Sequence, residues 1–355
     1  MIGQRLRLAR TASGLTLRDL ATKMDRRVTA QAISLYERNA SMPSSGVLLA
    51  LAEALDVPVA YLVGRRQIAL KFVRFRTKGP TNRRLRAQLE AQVVHMLERY
   101  LTIEEVLGLP SIEWIKPSSA PYPVMGGLDE ADLAAEDLRR RWGLGVDPIP
   151  NLAELLEDRG VKVLATDLAA EVHGLMAQVH RPQGEPIPVI VVRRMKWGDR
   201  QRFTMAHELG HLLMRVNPRL NGERAAHRFA GAFLMPQDTM RAALGARRTS
   251  ICLRELFDLK PVFGVSVQAL TYRCRQLGII GRKLFKRLTD EFTARGWSVT
   301  PFEEPLLVRS EEPSRFERLC LRALAEGVIS DSKGAELLNV GIRDLDDLMY
   351  EPPSP

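Results

Sequence analysis

The sequence predicts an α+β fold that is mostly helical: an all-α N-terminal domain followed by an α+β domain with a small sheet. Three observations carry this expectation. Residues 1–64 hold only closely spaced helical patterns, and most of the chain beyond residue 128 keeps the same 3.6-residue period. Three short apolar runs, Val161 to Ala165, His173 to His180 and Ile187 to Val192, read instead as strands. A chain of 355 residues is long enough for two or three domains with separate cores.

Composition narrows the class. Hydrophobic residues make up 45% of the chain and charged residues 26%, the balance of a soluble globular protein. The longest apolar stretch, around residues 46–63, is broken by Glu53 and Asp56, so no membrane partner is expected. The N-terminus lacks the apolar run of a signal peptide. Cys252, Cys274 and Cys320 are odd in number and far apart. They predict reduced thiols and a cytoplasmic location rather than a disulfide framework, and they leave any metal to histidine and carboxylate.

The positive charge lies at one end. Residues 1–100 hold 18 Lys and Arg against 7 Asp and Glu, whereas the remaining residues hold 34 against 35. Fifteen of the 18 are arginine, the better phosphate binder. A basic first part joined to a neutral remainder predicts a polyanionic partner, double-stranded DNA.

The elements follow in order. Gln4 to Thr11, Leu17 to Met24, Ala32 to Arg38 and Gly46 to Leu55 each place apolar residues on one helical face. Thr16 and Thr29 stand as N-caps, and Ser41 to Ser44 leads into the fourth helix. Short helices joined by tight turns are the layout of a helix-turn-helix domain over residues 1–64. Residues 65–127 read as a connector. It comprises a strand in which basic and apolar residues alternate (Ala69 to Arg76), a long helix from Asn82 to Leu107, and a linker, Lys116 to Gly127, with three prolines. Residues 128–300 form the second domain, beginning with helices at Asp129 to Trp142 and Asn151 to Arg159, and residues 301–355 a helical tail.

Directly after the third strand comes His207-Glu208-Leu209-Gly210-His211. Four residues along a helix the side chains have turned to within ~40° of each other, so His207 and His211 face the same way. Two imidazoles held like this offer nitrogens to one zinc ion, and Glu208 is placed as the acid/base that handles the proton of an attacking water. A catalytic zinc site needs a third protein ligand. Glu223, His227 and Asp238 lie downstream, and Glu223 and His227 share one face of a second helix ended by Pro236. Glu223 is the favoured third ligand, with His227 the alternative, because a His-His-carboxylate set is a common hydrolytic arrangement. No oxyanion donor is identifiable from the sequence: His173 and Tyr272 are candidates, but both read as structural side chains. The Ile187 to Val192 strand is read as an edge that aligns a peptide by strand addition.

Two resemblances follow from these residues. Residues 1–64 resemble the Xre (Cro/cI-type) helix-turn-helix family through Gly14 to Ala21, Val28 to Arg38, Pro43-Ser44 and Leu51 to Val57. Residues from about 128 to 240 resemble the ImmA/IrrE-type metallopeptidases, through Arg200 to His211 and Glu223 to Pro236, and Leu259 to Gly278 is similar to the tail of fused members. The second resemblance implies a zincin-like domain in which His207, His211 and Glu223 hold Zn2+ and Glu208 is the catalytic acid/base. Together they imply a regulator whose peptidase-like half controls expression by cleaving a partner repressor, or itself. A zinc endopeptidase merely targeted by its DNA-binding module, and a regulator whose second domain only senses a ligand, are the competing readings. The turn Asp25 to Arg27 is about two residues longer than in most relatives, Leu17 stands where many carry Gln, and His227 where many carry Asn.

In a helix-turn-helix the second helix reads base edges from its N-terminal part. Those positions are Thr29, Gln31, Ala32 and Ser34; Gln31 suits adenine and Ala32 a thymine methyl. Arg18, Arg26, Arg27 and Arg38 would hold phosphates. Two-fold operators predict a homodimer.

Overall fold

The structure, a computed structural model, describes residues 2–57, 59–63, 68–77, 83–117, 122, 126–169, 172–180, 185–298 and 303–350. The first domain packs α1 (Ile2–Ala12), α2 (Leu17–Lys23), α3 (Ala30–Glu37), α4 (Ser45–Leu55) and α5 (Val59–Val63) around Leu6, Leu20, Ile33, Leu51 and Leu62. Local chemistry sets the helix starts. Thr16 and Asp19 form a reciprocal capping box on α2, and Thr29 caps α3 by accepting from the Ala32 amide. The longer turn between α2 and α3 passes through Asp25 and Arg26, both in the left-handed region at φ 52° and 56°.

The second domain is built on a four-stranded sheet in the order β1-β3-β4-β2: β1 (Ala69–Thr77), β2 (Lys162–Thr166), β3 (Val172–His180) and β4 (Ile187–Arg193). β2 and β4 are parallel, the other two pairs antiparallel. β4 therefore lies inside the sheet, and the expected edge at Ile187 to Val192 is corrected: both of its ladders are occupied, by β3 and β2. The edges are β1 and β2.

Side chains alternate between two cores. Ile190 and Val192 of β4 join Met176 beneath α9 (Gly198–Leu213) and α10 (Gly222–Leu234). Val189 and Val191, with Leu175, Ala177 and Val179, face a layer made of α6 (Arg83–Val106), α15 (Arg315–Ala325) and α16 (Asp331–Leu338). Residues read from the sequence as connector and tail thus supply one edge strand and one whole layer. Their long-range pairing is invisible to local patterns. Of the Lys116 to Gly127 linker, residues 118–121 and 123–125 lie outside the described residues, while the buried Tyr122 donates its hydroxyl to the Ala134 carbonyl.

Against α9 and α10 pack α7 (Glu130–Trp142), α8 (Leu152–Asp158) and α13 (Val267–Gln276); α12 (Leu253–Phe263) and α14 (Arg282–Ala294) pack on α13, α11 (Gln237–Leu244) joins the same core, and α17 (Ile342–Tyr350) is the last described helix. The first domain is fastened to the second through α1 and α6. Arg5 of α1 makes a buried two-pronged bond to Glu98 of α6 at 3.0 and 3.1 Å and also donates to the Tyr61 carbonyl. No helix among the described residues is long and apolar enough to cross a membrane, and Cys252, Cys274 and Cys320 are free thiols.

Candidate functional site

Two glycines bring the site together. Gly174 of β3 lets α9 lie close on the sheet: a Cβ there would sit 2.9 Å from both Thr204 Cγ2 and the Val191 carbonyl oxygen. Gly210, inside the His-Glu pentapeptide, lets α10 lie close on α9, since a Cβ would meet Phe229 Cδ1 at 3.0 Å. α10 starts where Asn221 caps it by accepting from the Arg224 amide, which places Glu223 in its first turn opposite the two histidines.

The result is a compact donor cluster. His207 Nε2 and His211 Nε2 are 3.1 Å apart, and the Glu223 carboxylate reaches them at 3.1 and 3.3 Å. Ligand atoms ~2.1 Å from a tetrahedral zinc lie ~3.4 Å from one another, so the spacing and chemistry of these three groups fit such an ion. Burial holds His207 and His211 well below the usual imidazole pKa, at about 3 and about 4. They are neutral, as metal ligands must be. The His207 hydrogen bond in turn holds Glu223 ionised. Asp238, in the first turn of α11, is not in the cluster, and neither is His227. The His227 ring stands against those of His207 and Phe203, with centroids 4.6 and 5.6 Å away.

Glu208 is almost wholly buried, and neither carboxylate oxygen has a hydrogen-bond partner among the described residues. Desolvation pushes its carboxyl up to about 8, against the opposing pull of Arg76. A carboxyl group of that basicity takes up and releases protons near neutrality.

Sequence reasoning missed two members of the site, Arg74 and Arg76, because they arrive on β1. A register irregularity between Lys71 and Arg74 re-aims the strand there. Arg74 lies 3.2 Å from His211 Nδ1 and 3.4 Å from the Glu223 carboxylate, and Arg76 donates to Thr204 Oγ1 of α9. The alternation of basic and apolar residues in β1 was the available signal; its target was not. His173 and Tyr272, the candidate oxyanion donors, line a cavity beside the cluster.

In the first domain, Arg18, Thr29, Gln31 and Arg38 are exposed, as are Arg26 and Arg27, while Ala32 and Ser34 are half-buried on the same end of α3. Thr29 is engaged as the α3 cap, and Arg38 donates to the Ser34 carbonyl.

Fold and site together define a helix-turn-helix protein carrying a metallopeptidase-like domain. Residues 6–62 match the helix-turn-helix family and residues 156–275 match the family described as the IrrE N-terminal-like domain. The chain joins an Xre-type helix-turn-helix domain to an IrrE/ImmA-like domain, of a family that is generally metal-dependent. No curated protein and no solved structure gives a significant match to it.

Proposed function

We propose that the chain is a cytoplasmic DNA-binding regulator of transcription whose second domain is a zinc-dependent endopeptidase, acting on a partner protein or on the chain itself. One observation carries this reading. An unpartnered, buried carboxyl group, Glu208, adjoins three donors spaced for one ion. His207, His211 and Glu223 would hold zinc, which supplies Lewis acidity that acidifies water and polarises a carbonyl. Glu208 accepts the proton of the attacking water as its oxygen bonds to the scissile carbonyl carbon. The same carboxyl group gives that proton to the amide nitrogen as the C–N bond breaks. In the first domain Gln31 and Ala32 read bases, and Arg18, Arg26, Arg27 and Arg38 hold phosphates.

The position of Arg74 favours a second reading, a regulator whose second domain senses a ligand without turnover. Arg74 sits on His211 and Glu223, and its strand leads to α6, which bonds to the first domain through Glu98. Glu208→Gln separates the two. It should keep zinc and DNA binding and abolish proteolysis. If regulation in cells is unchanged by it, cleavage is not how the protein works. Binding to its own promoter should weaken steeply with salt, and a flat salt response would sink the DNA-binding claim. The homodimer expected for a two-fold operator is checked by the mass of the protein in solution.

A further inference from the structure

From His211 through His207 to Phe203 on α9, the opposing residues on α10 advance from Glu223 to His227. The groove that holds the donor cluster does not end at His227. It opens into a cavity of about 720 Å³ between α9, α10 and α13, with Arg76 of β1 in its wall. That volume lies within the ~300–1,000 Å³ typical of small-ligand sites.

The charges in its wall do not balance. Arg76, Arg200, Arg224, Arg228 and Arg273 face it, with Asp199 the sole acidic residue among the described lining residues. Four of these six are already matched. Arg200 pairs with Glu304, Arg228 with Asp129 and Asp132, Arg273 with Asp132, and Asp199 with Lys260. Arg76 and Arg224 are left. Arg76 has the Thr204 hydroxyl as its hydrogen-bond acceptor, and neither arginine has a carboxylate within ion-pair distance among the described residues. Burial lowers the Arg76 pKa against the longer-range pull of Glu208 and Glu223. The remaining wall is partly apolar, with Leu128, Met195 and Phe203.

We propose that this cavity is the subsite for a carboxylate-bearing group, held by Arg76 and Arg224 with its hydrocarbon part against Phe203 and Leu128. A guanidinium presents paired N–H donors that match a carboxylate, and the apolar wall suits the methylenes of a Glu side chain. The source of the carboxylate is an acidic residue of a peptide or a free dicarboxylate. Only the peptide source rests on the reading of the neighbouring cluster as hydrolytic.

The test is calorimetric titration of the full chain, once stripped of metal and once as zinc-loaded Glu208→Gln, with N-acetyl-Glu-amide, N-acetyl-Gln-amide and glutarate. The Glu amide should bind about tenfold or more tightly than its uncharged twin. Arg76→Gln and Arg224→Gln should each erase that preference, and Arg76→Lys should restore part of it. Gly231→Leu should exclude all three ligands, because its Cβ has room and the longer side chain enters the cavity. Glutarate binding as tightly as the Glu amide identifies a free-carboxylate site, and a Glu amide that outcompetes it identifies a peptide site. Equal binding of the Glu and Gln amides overturns the proposal, as does a preference that survives both arginine substitutions, or inorganic phosphate displacing the Glu amide at lower concentration than glutarate. Unfolding midpoints check each variant, and the exposed Arg224 carries the test alone if Arg76→Gln does not fold. The metal-free arm reads the cavity even if the chain proves to bind no zinc or cleave no peptide.

Discussion

Gly210→Ala probes the device that closes the cluster. The added methyl would lie 3.0 Å from Phe229 Cδ1, 3.3 Å from Cγ and 3.4 Å from the Ala226 Cα. The Phe229 ring cannot swing aside, because it is fully buried and stacked on Phe233 with centroids 5.6 Å apart. α10 must therefore back away from α9 by a few tenths of an ångström, carrying Glu223 from contacts of 3.1 and 3.3 Å with the histidines. Overpacking of this kind costs ~1–3 kcal/mol, against a gain of ~1 kcal/mol for replacing a helical glycine. Gly46, in α4, has open space around its Cβ position, so Gly46→Ala should show that gain alone. Urea unfolding of the metal-free chain should place Gly210→Ala about 1–3 kcal/mol below Gly46→Ala. Competition with a chromophoric chelator should show zinc binding weakened by about tenfold or more. If Gly210→Ala matches Gly46→Ala in stability and wild type in zinc affinity, close approach of the two helices is not what assembles the site.

Three further outcomes are expected. Arg5→Ala removes the two buried bonds that Glu98 accepts from its guanidinium, and should cost ~3–5 kcal/mol in denaturant unfolding while exposing the junction between the domains to limited proteolysis. Burial, reinforced by Arg99 and Arg5, lowers the pKa of His95 to about 4, so between roughly pH 6.5 and 4 the unfolded chain binds the extra proton and stability falls as pH falls. That loss is at most ~3 kcal/mol, and His95→Gln should flatten it in unfolding curves at pH 7 and 4.5. In operator binding, Gln31→Ala should cost ~1–3 kcal/mol and relax specificity at one base, whereas Arg18→Ala should weaken all sequences alike and reduce the salt slope by about 1.

What the sequence reveals here is what is local. The caps at Thr16 and Thr29 depend on hydrogen bonds across three residues, and the pairing of His207 with His211 follows from helix pitch alone. β2, β3 and β4 were legible because strands covered on both faces read as short, largely apolar runs. Sheet order was not, since β1 reaches β3 across roughly a hundred residues and β4 inserts between β3 and β2. Buried charges were also hidden. Lys162 pairs with Glu104, and Lys260 with Asp199 and Glu304, through contacts between segments far apart in the chain. Arg74 and Arg76 belong with these: the sequence showed only a strand of alternating basic and apolar residues, and tertiary pairing turns them toward the cluster.

The central claim is that His207, His211 and Glu223 hold a zinc ion beside Glu208. Metal analysis of the purified full chain, wild type beside Glu223→Ala and His227→Ala, tests it most directly. Zinc should be stoichiometric in wild type and in His227→Ala, and lost from Glu223→Ala. Zinc retained by Glu223→Ala but lost from His227→Ala, or no zinc in wild type, would contradict it.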